Sequence, residues 1–183
     1  MRRCLFGPGL VALALAGCTD GKPAADGPRP EAGGSVGQTP AGTLEPLVMG
    51  QKPAKVASVR DVLAMKDGEK VVVSGRTPPE NCKPFNAALA AVLLMAPEDL
   101  DTPDIKEELM CEDAATCPAC KQVFDAHAIR VELVDTSGAV VPASMEGFRG
   151  LKPGSTLTFE GEVRRDGKDK KLVRLVAKRF YPG

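Results

Sequence analysis

The chain has 183 residues, enough for one domain with extensions. Its 24 basic and 24 acidic side chains cancel, so no whole-molecule field draws it to nucleic acid or anionic lipid. Tryptophan is absent and only 4% of residues are aromatic, which leaves few platforms on which bases could stack.

The chain opens with a basic Met1-Arg2-Arg3 and an apolar run densest from Leu10 to Ala16. That run is too short to span a bilayer and has the form of a signal peptide. It ends in Leu15-Ala16-Gly17-Cys18, which resembles the lipobox of bacterial lipoproteins: leucine, two small residues, then cysteine. The resemblance implies that residues 1–17 are a signal peptide removed on export. Cys18 would then begin the mature chain, its thiol carrying a diacylglycerol and its amine acylated by a fatty acid such as palmitate. Several acyl chains hold a protein to a membrane far better than one, at about 0.8 kcal/mol per buried methylene. The implied location is the bacterial cell envelope. In some bacteria an aspartate directly after the cysteine retains lipoproteins at the inner membrane. Here Thr19 holds that place and aspartate follows at Asp20, which favours the outer membrane.

From Thr19 to Lys55 glycine, proline and alanine dominate, and large apolar residues are nearly missing before Leu44. Such a stretch cannot bury enough surface to offset its ordering entropy, so residues 18–55 read as a lipidated start and disordered tether. Its reach is roughly 35 Å root-mean-square. Leu44 to Met49 is the part able to pack on the domain as an added strand.

Residues 56–183 carry the domain. Ser58 and Asp61 have the spacing of a capping box, with Val59, Val62, Leu63 and Met65 following at roughly helical intervals until Lys66-Asp67-Gly68. Lys70 to Arg76 is a β-branched run and a first strand. Phe85 to Ala96 is rich in Ala and Leu, which suits a helix, yet its place between a strand and Pro97 predicts a second strand over Ala90 to Met95. Thr102-Pro103 with the acids after it is a helix start. Ile129, Val131 and Leu133 alternate with polar neighbours in a third strand within Ala126 to Asp135, turned at Thr136-Ser137-Gly138. Met145, Phe148 and Leu151 predict a short helix.

Leu151 to Phe180 is the surest stretch. Leu157, Phe159, Gly161 and Val163 alternate with Thr156, Thr158, Glu160 and Glu162, Asp166-Gly167 offers a turn, and Leu172 to Phe180 returns. The whole is mostly β. Five strands with a helix between the third and fourth resemble the OB-fold, a small Greek-key barrel. Leu157, Phe159, Gly161 and Val163 after Lys152-Pro153-Gly154 look like its fourth strand, with a glycine where the strand bends to close the barrel. The helix followed by VVVSGR is similar to small exported OB-fold proteins of bacteria, several of them lipoproteins without an assigned activity. The long cysteine-containing insertion between strands 2 and 3 departs from that pattern.

Beyond Cys4 and Cys18 the cysteines are Cys82, Cys111, Cys117 and Cys120. An even count in an exported protein favours disulfides, and two bridges among these four are the first expectation. A loop of about 30 residues closed this way gains roughly 3–4 kcal/mol in the chain-entropy account. Cys117-Pro118-Ala119-Cys120 offers two sharper chemistries. Thiolates three apart can share a metal, with Cys111 or Cys82 and His127, the sole histidine, completing a zinc set. Cys-Pro-x-Cys also looks like the glutaredoxin active site, but that motif opens a helix in a βαβ setting, and no such setting is legible here.

No nucleophile–base pair or phosphate loop stands out, Glu107-Glu108 reads as an exposed helix face, and neither an enzyme activity nor a cofactor is expected. Charge is uneven: an acidic middle from Glu98 to Asp113 and a basic end from Arg164 to Arg179. Both read first as solvated faces. The leading functional expectation is a membrane-anchored binding or scaffold domain for an envelope protein, glycan or polyanion, with nucleic acid disfavoured. The alternative is an envelope thiol-redox or metal-binding protein using Cys117 and Cys120.

Overall fold

The computed structural model describes residues 44–114, 116–165 and 172–183. The lipobox-like stretch with Cys18, the proposed signal peptide, most of the expected tether and Gly167 lie outside the described residues.

The fold starts from a local hydrogen-bond exchange. The Asp61 amide donates to the Ser58 hydroxyl at 3.2 Å, and the Ser58 amide donates to the Asp61 carboxylate at 2.9 Å. This reciprocal cap begins helix α1 (Val59–Ala64), which turns Val59 and Val62 fully inward. Ahead of it β1 (Ala57–Ser58) lies parallel to Val73 and Ser74 of β2 (Lys70–Arg76). Strands β3 (Ala91–Met95), β4 (Ala128–Leu133), β5 (Thr156–Arg164) and β6 (Val173–Pro182) follow. Neighbours run β2-β3-β4-β6-β5, and β5 pairs back on β2 from Lys70↔Glu162 to Arg76↔Thr156. The sheet therefore closes into a five-stranded barrel. β4 and β6 run parallel, whereas the other barrel pairs are antiparallel.

Alternation does the rest. Val73, Leu94, Ile129, Val131, Leu157, Phe159 and Leu175 project into one buried core. The Phe180 ring stacks on Phe159 at 6.0 Å and meets Phe148 at 5.8 Å. The bend expected at Gly161 is present. The register of β5 against β6 slips between Glu160 and Gly161, and a Cβ at 161 would stand 2.5 Å from the Val176 carbonyl oxygen.

Ala91–Met95 is a strand despite its helix-forming composition, because Val92 and Leu94 fill the barrel while Met95 is buried in a separate cluster beside the cysteines. Three expectations are corrected. Met145, Phe148 and Leu151 are buried but not on a regular helix: only a 3-10 turn forms at Phe148–Gly150, with Arg149 at φ 49. Leu44 to Met49 does not behave as tether: Leu44 and Met49 are buried, Val48 bridges Phe180, and the Met49 amide donates to Phe180 O at 2.7 Å. The third is α4, below.

Candidate thiol site

Between β3 and β4 the chain leaves the barrel through α2 (Pro97–Leu100), α3 (Pro103–Glu108) and α4 (Pro118–His127). Proline opens each helix where its missing N–H costs nothing. These helices and the 3-10 turn Glu80–Cys82 enclose a second small core of Cys82, Met95, Leu100, Ile105, Leu109, Cys120, Val123 and Ala128. The described site lies on its outer wall.

Cys117 is the N-cap of α4, so the Cys-Pro-x-Cys motif does open a helix. This helix is not among the elements expected from the sequence, where Ala126-His127 reads as the start of a strand. Pro118 with the helix-favouring Ala119, Lys121 and Gln122 was the available signal. Asn81 fixes the approach to the helix: its Nδ2 donates to Leu109 O at 2.6 Å and to Cys111 O at 2.8 Å. The result is that the Sγ atoms of Cys111, Cys117 and Cys120 all lie within 4.8 Å of one another. The Cys111 and Cys117 sulfurs are 3.1 Å apart, and both residues are partly exposed. Cys120 is wholly buried, and its thiol donates to Glu108 O at 3.1 Å.

Their electrostatics diverge. The backbone N–H of Cys120 faces the Cys117 sulfur, short of full capping geometry, and with the Cys111 thiol it lowers Cys117 to about 7 from the ordinary 9.0. Burial, and then the Cys117 sulfur, push Cys120 up to about 12. Cys111 is raised chiefly by its contact with Cys117. Burial pushes Cys82 to about 11.

The expected two disulfides are not formed: all four described cysteines are free thiols. They do not fall into two pairs. Three converge, while Cys82 is buried outside that group with its Sγ 3.9 Å from its own neighbour Asn81. The metal set is also corrected. Cys111, Cys117 and Cys120 come together, but His127 closes the far end of α4, its Nδ1 3.4 Å from Asp99 Oδ2. Three thiolates suit a soft metal ion; the imidazole is spent elsewhere. Asp99, read as part of a solvated acidic face, is instead 2% exposed and also takes Arg60 Nε at 3.0 Å. Glu107 and Glu108 are exposed, as expected.

Beside Cys111 opens a pocket of about 630 Å³ lined in part by Arg76, Leu100, Lys106, Leu109 and Met110. Met110 is 79% exposed at its rim. A second groove of about 870 Å³ lies against β2, β5 and β6 and contains no cysteine. Within the basic end, Arg165 donates to Leu63 O and Met65 O, Arg164 pairs with Glu162 and Arg174 with Glu132. No helix among the described residues is long and apolar enough to cross a membrane. Neither a family model nor a curated protein matches this chain.

Proposed function

We propose that this chain is a lipid-anchored envelope protein whose OB-fold-like barrel carries a thiol-exchange site with Cys117 as nucleophile. The observation that carries the reading is the placement of Cys117 at the start of α4, partly exposed, with a second sulfur 3.1 Å away. A thiolate there is stabilised by helix amides and open to attack a disulfide sulfur. The OB-fold assignment is supported by the strand order. Three strands meander, the 134–155 connection crosses, and the next strand returns to the first, a Greek-key path. The helices between β3 and β4 are then the cysteine-containing insertion, and the barrel is the scaffold that holds it rigid.

Labelling the reduced full chain with limiting iodoacetamide at neutral pH is expected to modify Cys117 ahead of Cys82 and Cys120. Addition of an aromatic disulfide should give a mixed disulfide at Cys117. Uniformly slow labelling would defeat the reading. One equivalent of zinc or copper retained through gel filtration would make this a metal centre instead.

A further inference from the structure

We infer that the cysteine closing a disulfide on Cys117 is Cys111, six residues earlier on the loop ahead of α4, and that Cys120, the second cysteine of the motif, stays a thiol. This rests on the thiol-exchange reading above.

The geometry favours Cys111 in three ways. Its sulfur stands 3.1 Å from that of Cys117, about 1 Å beyond a disulfide bond. Both residues are partly exposed, whereas Cys120 is buried, so a leaving partner has a way to solvent from the Cys111–Cys117 pair. Cys111 belongs to a non-helical segment between α3 and α4 that can yield the last ångström without breaking a helix. Cys120 is the reverse case. It sits inside α4 on the face that carries Val123 into the small core, is 0% exposed, and would lose its hydrogen bond to Glu108 O on turning outward.

The step takes a disulfide-bearing partner. The Cys117 thiolate attacks one partner sulfur; the Cys117–partner bond forms, the partner's S–S bond breaks, and one partner thiolate leaves. Cys111 then gives up its proton to solvent and attacks the Cys117 sulfur. The Cys111–Cys117 bond forms, the mixed disulfide breaks, and the second partner thiolate leaves. Two electrons pass from the protein to the partner, which gains two thiols on protonation.

Oxidised glutathione serves as probe on the reduced full chain carrying Cys4→Ser and Cys18→Ser, with peptide mapping under non-reducing conditions. The expected product is a Cys111–Cys117 disulfide, with Cys82 and Cys120 still alkylatable. In Cys111→Ser the glutathione adduct on Cys117 should persist; in Cys120→Ala it should resolve. A Cys117–Cys120 disulfide in the unaltered site would overturn the inference while leaving thiol exchange standing. A Cys117 that takes no glutathione would overturn both. The disulfide map needs neither site variant to fold.

Discussion

Two residues set the sharpest expectations. Cys117 has its ionisation near 7, and the thiolate is the reactive form, so its alkylation rate should rise with pH and level off above about 8. A rate still climbing steeply between pH 8 and 9, followed by mass spectrometry of the Cys117 peptide, would count against the helix-amide effect. Gly161 has no room for a side chain: even a methyl group would press on the backbone at Val176 and Ala177. Gly161→Val is expected to cost roughly 3 kcal/mol, the upper range for overpacking. Gly138, at φ 86 on an exposed turn with open space around it, should lose only about 1 kcal/mol on change to Ala. Urea unfolding of the two variants compares them directly.

At the scale of the elements, α4 is held at both ends, by the Cys111 loop at its start and by Asp99 at its finish. Asp99 ties α1 and α4 to α2 through Arg60 and His127. Burial alone would raise this carboxyl, but Arg60's hydrogen bond and charge, with His127, hold it below the usual 3.8. A depressed carboxyl stabilises the fold above its unfolded value and loses that contribution as pH falls through its folded value. The stability gap between the wild type and Asp99→Asn should therefore be full near pH 6 and shrink below about pH 4. Thermal scans across that range test it; a gap that widens on acidification would show that the carboxylate is not the stabilising form.

For the whole molecule, the packing reaches further toward the N-terminus than composition implies. Leu44 is 1% exposed, and Arg149 Nε reaches back to Glu45 at 3.2 Å. Leu44→Ala should cost about 2–4 kcal/mol, as for other buried leucines, and a chain beginning at Val56 should melt well below one beginning at Gly42. Equal melting temperatures would mean the 44–49 segment contributes nothing. The proposed anchor makes a separate expectation. Cys18→Ala should lose fatty-acid labelling and membrane attachment while the barrel's melting temperature stays unchanged. An unlabelled wild-type protein would remove the lipoprotein reading.

What the sequence determined by itself was whatever repeats at short range. The Ser58–Asp61 cap, the β-branched run at Lys70–Arg76, the alternation from Leu157 to Val163 and the bend at Gly161 are written in neighbouring residues, and each occurs where that local pattern places it. Tertiary structure decided the rest. Ala91–Met95 is a strand because strands β2 and β4 offer it backbone partners, which outweighs its local preference for helix. Leu44 is buried in the same core as Phe148 and Phe180, which stand a hundred or more positions later, a fact no window around Leu44 contains. The cysteines show the division most clearly. Their number and the Cys-Pro-x-Cys spacing were legible, but pairing depends on where sulfurs meet in space. Asn81 and the C-terminal end of α3 bring Cys111 to Cys117, a small core covers Cys120, and Cys82 and His127 are drawn to other neighbours.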